Sequence, residues 1–490
     1  MSDGRSLDPA DWNAFRDLAH RALDDAIDSI ASARDSGAWQ EVPVEVKRAI
    51  AADPLPVNGS TTQDVYAQYR DLIAPYSVGN RHPRFFGWVH GSGTASGMLA
   101  EMLTASLNVN AGGRDHAAPY IERHLIAWCA EMFGFPASAS GIVTTGTSMA
   151  NLIAVIVARQ GALGSTVRQT GIARASERGE LVAYASSEAH GSVAHAFEIA
   201  GFGSDAVRII PVDATFRMDL RALRAAISAD RARGLQPFFI VGTAGSASVG
   251  AVDDLAALAD VCAEERCWYH IDGAFGALAI LSPEQRSLLA GIERADSIAF
   301  DFHKWMHVPY DAGCVLVRDG TLHHASFDDD SPYLMRSPHG TGGGEPWFCE
   351  FGPELSRGFR ALKVWFTIKE YGLARFGDLI AAQCRLARET GALIARTTPL
   401  VMLAPVTLNI VCFRYAPRLA EKALDAINAQ IVLDLQEQGV AVASTTRVGG
   451  KLGIHLNVMN HRTTKADMAL TLNEVMRLGE AALRALQPTG

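Results

Sequence analysis

Disulfides, cysteine-based metal sites, membrane spans and nucleic-acid binding all find little to build on in this sequence. Its seven cysteines (129, 262, 267, 314, 349, 384 and 412) are scattered and form no C-x-x-C pair. That excludes a disulfide framework or a zinc cluster as the organising feature and reads as reduced thiols of a cytoplasmic chain. The apolar run from Leu152 to Ala158 stops at Arg159, far short of the roughly 20 residues a spanning helix needs. The first thirty residues are acidic and interrupted by aspartates, so no secretory leader is expected. Positive charge is in deficit: 44 Lys+Arg against 53 Asp+Glu give a net charge of −9. A phosphate backbone needs a basic surface, so no nucleic-acid partner is expected, and no membrane partner either. Internal repeats and low-complexity tracts are also missing.

What is present is ordinary globular material, 48% hydrophobic and 20% charged over 490 residues. That length suits two or three domains. Three segments are expected, at 1–90, 91–375 and 376–490. In the first, Asp8-Pro9 offers a helix start, and Phe15, Leu18, Leu23, Ile27 and Ile30 recur at helical spacing. A second helix is expected over 62–73. Nothing local covers their apolar stripe, so these helices need another domain or another subunit. In the second segment, apolar runs at 141–144, 181–185, 207–211, 238–243, 268–272, 297–301 and 314–318 alternate with helical patterns at 148–159, 190–200, 220–232 and 254–265, the last capped by Asp253. This alternation is the mark of an α/β domain with a mostly parallel sheet, whose ligands sit at the carboxyl ends of the strands. The third segment reads as a smaller α/β domain with strands at 409–415, 440–444 and 452–457 and helices at 419–437 and 465–486.

Several polar residues fall just past those strand ends. Lys304, in Asp301-Phe302-His303-Lys304-Trp305, follows an apolar strand and is flanked by aromatics. It reads either as a lysine reaching back to water or as a desolvated amine fit for Schiff-base chemistry. Asp272 ends the run Trp268-Tyr269-His270-Ile271-Asp272 and is followed by Gly273-Ala274. It is either a turn aspartate or a carboxylate paired to a pyridine nitrogen, with small residues leaving room for a flat ring. Thr144-Thr145-Gly146-Thr147-Ser148 links a strand to a helix, which suits either a plain cap or an anion site. His190, after Ser187-Glu188-Ala189, is a cap, a core hydrogen-bonder or a ring that stacks on a cofactor.

Taken together and in this order, the motifs resemble the group II pyridoxal-phosphate decarboxylases, the family of aromatic L-amino-acid, histidine and glutamate decarboxylases, and are nearest in pattern to bacterial aromatic L-amino-acid decarboxylases. The resemblance runs through His82-Pro83-Arg84-Phe85-Phe86-Gly87-Trp88, Gly146-Thr147-Ser148-Met149-Ala150-Asn151-Leu152, His190, Gly242-Thr243-Ala244-Gly245, His270-Ile271-Asp272, His303-Lys304-Trp305, Arg360-Ala361-Leu362-Lys363-Val364-Trp365-Phe366 and Asn460-His461-Arg462-Thr463-Thr464. It implies the aspartate aminotransferase-like (type I) fold of pyridoxal-phosphate-dependent transferases. That fold has a seven-stranded, mostly parallel sheet in a large cofactor domain, an N-terminal helical segment that wraps a partner, and a small C-terminal α/β domain. It implies pyridoxal 5'-phosphate as cofactor, no metal, and a homodimer with shared active sites. Carried over residue by residue, Lys304 binds the cofactor aldehyde, Asp272 holds the pyridine nitrogen and His190 stacks on the ring. Thr147, Ser148 and His303 hold the phosphate, and Thr243 and Ala274 line the ring. Asp301 stands where the animal enzymes have asparagine. A carboxylate there would repel phosphate, so it is given no part in phosphate binding.

The segment Asp330-Ser331-Pro332-Tyr333-Leu334 is similar to the family's mobile catalytic loop. Tyr333 is then the phenol that protonates Cα after carbon dioxide leaves. Within the family, phenylalanine at this position or a non-histidine at the stacking position accompanies aldehyde synthases. Tyr333 and His190 therefore imply an amine product. Phe85, Phe86, Trp88 and His90 fall where the family places part of its substrate pocket, which favours an aromatic side chain, although some of the four also suit packing at a domain junction. Arg81, Arg84 and Arg114 offer the alternative of an acidic substrate. A transaminase of the same fold is a further alternative.

Overall fold

The computed structural model describes residues 6–175, 179–328, 336–344 and 346–485. Among these residues the central sheet has seven strands: β1 (Ser140–Thr144), β2 (Leu181–Ser186), β3 (Val207–Ile210), β4 (Gln236–Thr243), β5 (Trp268–Asp272), β6 (Ser297–Asp301) and β7 (Gly313–Val317). Their spatial order is β1-β7-β6-β5-β4-β2-β3. Only β7 runs against its neighbours, pairing antiparallel with both β1 and β6. The sequence reason is visible in β2, where all six residues are buried. Helices cover both faces of such a sheet, so its strands are apolar throughout instead of alternating. The helix Thr147–Leu163 supplies much of that cover, burying Ile153, Ala154, Val155 and Val157.

A second sheet, β10-β11-β9-β8, is built from β8 (Leu400–Met402), β9 (Ile410–Tyr415), β10 (Ser444–Val448) and β11 (Lys451–Asn457), all antiparallel. Helices Glu421–Glu437 and Lys465–Ala485 flank it. The strand expected over 440–444 begins only at Ser444. Gly449 and Gly450, with φ of 55° and 80°, form a two-residue hairpin turn that needs left-handed backbone and so sets the register. The residues just before β10 pair instead with the N-terminal segment. Phe86 N–H donates to the Val442 carbonyl at 2.7 Å, Val442 N–H to the Arg84 carbonyl at 3.0 Å, and Asn457 N–H to the Phe86 carbonyl at 2.9 Å.

Two helix starts also differ from expectation, each by the choice of aspartate. Helix Trp12–Ala31 is capped by Asp11, whose carboxylate accepts from the N–H groups of Asn13 and Ala14, not by Asp8. Helix Leu255–Glu265 is capped by Asp254. Asp253 is buried and accepts from the N–H groups of Met218 at 2.7 Å and Thr243 at 2.8 Å, and burial pushes its pKa up to about 6. All seven cysteines are free. Among the described residues no helix is long and apolar enough to cross a membrane.

Candidate active site

The carboxyl ends of β1, β2, β4, β5 and β6 face one cavity of about 790 Å³. Each strand delivers a side chain there because the chain leaves the sheet at that edge, from the strand's last residue or from the turn that follows it. Thr243 ends β4 and Asp272 ends β5. Lys304 lies in the single helical turn Phe302–Trp305 directly after β6. Thr147 and Ser148 open the helix after β1, and His190 follows β2. All eight residues expected to hold the cofactor line the cavity: Thr147, Ser148, His190, Thr243, Asp272, Ala274, His303 and Lys304. Gly91 makes the close packing beside the lysine possible, since a Cβ there would sit 2.1 Å from the His303 carbonyl oxygen and 2.5 Å from that of Lys304.

Asp272 is nearly inaccessible, 4% exposed. Burial raises its pKa, against the opposing charges of Lys304 and His190. Its orientation is fixed by a chain of hydrogen bonds whose polarity can be read end to end. Trp268 Nε1–H donates to Ser297 Oγ at 2.8 Å, and Ser297 Oγ lies 2.8 Å from His270 Nδ1. His270 Nε2 donates to Asn151 Oδ1 at 3.0 Å, because an amide oxygen only accepts. Burial pushes the His270 pKa down to about 3, so the ring is neutral, its Nδ1 is the acceptor and Ser297 is the donor. The two N–H bonds of the Asn151 amide then go to Asp272 Oδ2 at 3.2 Å and Ser192 Oγ at 3.1 Å. Ser192 Oγ in turn stands 2.8 Å from His190 Nδ1. One amide thus orients both the buried carboxylate and the histidine above it. Asn151→Leu is expected to lower kcat by about 10–100-fold, the range for residues that orient a reactive group from behind it. Saturating kinetics on the folded variant checks this.

Asp301 is 2% exposed. Its Oδ1 accepts the Thr147 N–H at 2.7 Å, and its Oδ2 lies 2.9 Å from Lys304 Nζ and 3.6 Å from His303 Nε2. It therefore works as the counter-ion of the lysine and a cap on the helix. His303 Nδ1 accepts from Ala312 N–H at 3.1 Å, and burial lowers the ring's pKa. The Tyr310 ring lies 4.3 Å from it.

The four residues expected at the substrate end separate. Trp88 and His90 line the cavity. Phe86 does not: it is 1% exposed within the core of the small domain, packed with Val411 and Phe413. Phe85 packs on Ala38 and Val442 and backs the pocket from behind, 5.7 Å from the His90 ring. Both phenylalanines are held by the backbone pairing of this segment with Val442, so they fill a domain junction. The arginines are elsewhere too. Arg84 donates from Nε to the Val440 carbonyl at 2.6 Å, and Arg114 lies over the Trp347 ring at 4.3 Å. Tyr333 lies outside the described residues. Residues that sequence reasoning missed include Tyr310, Asn151 as the hub, and Ser444, Thr445, Thr446 and His455, which the small domain contributes to the cavity. Asn151 lies one helical turn after Thr147, and that i,i+4 spacing was the available signal.

The cavity fits pyridoxal phosphate. The hydroxyl oxygens of Thr147 and Thr243 are buried with no hydrogen-bond partner in the protein, at the positions where a bound group would satisfy them. Asp272 is a buried carboxylate whose pKa burial raises, and a protonated pyridine nitrogen beside it would offset that cost. Lys304 provides the amine an aldehyde requires.

Comparison with known proteins agrees. Residues 43–416 match the pyridoxal-dependent decarboxylase conserved domain. The chain is 34% identical over 470 residues, 95% of each chain, to an aromatic-L-amino-acid decarboxylase of Bacillus atrophaeus. Among solved structures, it is similar to the glutamate decarboxylase domain of a diaminobutyrate-pyruvate transaminase and L-2,4-diaminobutyrate decarboxylase from Vibrio parahaemolyticus, with 26% identity, 97% of each chain covered and a TM-score of 0.84. In fold it also matches Oryza sativa TDC solved with PLP and tryptamine, with 24% identity, 97% and 99% coverage and a TM-score of 0.87. The chain belongs to the pyridoxal-dependent decarboxylase family.

Proposed function

We propose that this carboxy-lyase releases carbon dioxide from an aromatic L-amino acid and yields the amine, working as a homodimer in the cytoplasm. The observation that carries the aromatic choice is the composition of the cavity wall. Trp88, His90 and Tyr310 stand there, and among the described residues no arginine lines the cavity. An acidic side chain would need a cation at that end; a ring needs flat apolar faces. The name of the Bacillus atrophaeus relative supports the same reading.

The cofactor, pyridoxal phosphate, supplies when bound the electron sink into which the Cα–carboxylate bond electrons pass. The protein residues do the rest. Lys304 would hold the aldehyde through Nζ. Asp272 keeps a proton on the pyridine nitrogen, held in place by Asn151. His190 would pack against the ring. Thr147, Ser148 and His303 hold the phosphate end, while Thr243 and Ala274 shape the ring slot. Tyr333 delivers a proton to Cα and closes the site against water.

Carbon dioxide release measured across the amino acids, with pyridoxal phosphate added and products identified, tests the substrate. Turnover of glutamate or aspartate without turnover of aromatic substrates would reject the aromatic reading. Tyr333→Phe is expected to cut amine formation by about 10²–10⁴-fold, the usual contribution of a positioned proton donor, and to raise oxygen-dependent aldehyde and peroxide. Oxygen consumption beside amine yield reads this out. The homodimer is supported by the exposed apolar stripe of helix Ala95–Leu107, where Leu99, Met102, Leu103 and Leu107 face outward, together with Trp12 and Ile27 on the first helix. Sedimentation reporting a monomer at working concentration would remove it.

A further inference from the structure

Behind Tyr310 lies a second, smaller cavity of about 230 Å³ with no part in the reaction above. Arg81 from the N-terminal segment and Arg462 from the loop after β11 both line it, with Asn80, Thr94 and Tyr310. Neither guanidinium has an ion-pair partner among the described residues, and Arg462 Nη1 is buried with no hydrogen-bond partner at all. Asp467, five residues on from Arg462, is already engaged by Arg34 at 2.8 Å and lies 3.8 Å from Arg84.

The other titratable groups nearby do not compensate. His461 Nε2 lies 3.4 Å from the Gly93 carbonyl, and its ring is 5.0 Å from that of His307. Burial, reinforced by Arg462, pushes His461 down to about 4, and burial holds His307 well below its ordinary value. Arg375 adds positive charge near His461, and the groups facing Arg462 besides Arg81 are the phenols of Tyr371 and Tyr310. Burial, with Arg81 adding to it, lowers even the Arg462 pKa.

Both side chains are half-buried, and two like charges lining one cavity repel unless an anion stands between them. Two guanidiniums present forks of N–H donors that match the two oxygens of a carboxylate or another oxyanion. We propose that Arg81 and Arg462 form a binding site for one carboxylate or oxyanion, walled off from the catalytic cavity by Tyr310. The anion is either a free small molecule or an acidic side chain of a second copy of this chain; the chemistry is the same.

The test uses the holoenzyme with sulfate as the probe, at ionic strength held constant with chloride. For a free anion, sulfate is expected to raise the wild-type Tm saturably by several degrees, with the rise lost in Arg462→Gln and Arg81→Gln and kept at least in part in Arg462→Lys. For an acidic side chain of a second copy, sulfate leaves the wild-type Tm unchanged. Arg462→Gln and Arg81→Gln then weaken self-association at least tenfold by sedimentation, and Arg462→Lys does so less. Circular dichroism and the bound-cofactor absorbance establish that each variant is folded. Equal sulfate responses in wild type and both glutamine variants, together with unchanged self-association, would overturn the proposal.

Discussion

Lys304→Ala is expected to lower decarboxylation by more than about 10³-fold, a barrier increase of roughly 4 kcal/mol or more. The amine is the only lysine nitrogen lining the cavity among the described residues, so no neighbour replaces it as the group that binds the aldehyde. Borohydride reduction of the wild-type holoenzyme should leave the cofactor on the peptide carrying Lys304, between His303 and Trp305, and reduction of the variant should leave it nowhere. Removing the ammonium also strips the counter-ion at 2.9 Å from the buried Asp301, so part of any loss would be structural. Lys304→Arg separates the two effects. It keeps a cation for Asp301 but not a nucleophilic amine, so it should restore stability and not activity. A variant at position 304 that retains activity within tenfold of wild type would remove the basis of the mechanism.

Arg357→Met should cost about 3–5 kcal/mol of stability, the range for breaking a buried pair and stranding its partner. Arg357 and Glu122 are both essentially inaccessible, with side chains 0% and 1% exposed. Two guanidinium nitrogens reach the Glu122 carboxylate, at 2.7 and 3.1 Å. Glu122 also accepts the Val143 N–H at 2.9 Å, while Arg357 donates to the Val143 carbonyl. The pair thus satisfies both backbone groups of Val143 on the open edge of β1, the strand that leads into the turn at 144–148. A typical domain has only about 5–15 kcal/mol in reserve, so the single variant should show a large drop in its urea midpoint and weaker retention of pyridoxal phosphate. Adding Glu122→Gln removes the stranded charge and should recover part of the loss. A change below about 1 kcal/mol in Arg357→Met would show that the pair is relaxed by water.

Local patterns carried much of the fold. The apolar runs that became the central strands are, β3 excepted, largely buried on both faces, so they were legible as continuous hydrophobic segments. Lys304, Asp272 and His190 were legible for a related reason: each is a polar residue directly after such a run, where sheet topology puts ligands. The failures are equally physical. Phe85 and Phe86 fall where the resemblance places a pocket and also suit a domain junction, and backbone pairing with Val442 puts them in the junction. The start of β10 was misplaced because Val442 pairs with Arg84 and Phe86 of that same N-terminal segment, while the N–H groups of Val440 and Ala441 turn back to the Leu435 carbonyl. Asp253 and Asp254 are adjacent and chemically alike, and only the position of Thr243 and Met218 decides which one caps.

The amino-acid order alone determined the alternation of strand and helix and the chemistry stationed at the strand ends, because both depend on short-range periodicity and on which side chains can leave a ladder. Tertiary structure alone decided what those groups touch. It gave Asp301 to the lysine and the helix start, made Asn151 the hub between Asp272 and His190, and brought Arg81 and Arg462 to one cavity. Those contacts join residues far apart in the chain, and an electrostatic or hydrogen-bonded partner is chosen by distance in space, which periodicity along the sequence does not encode.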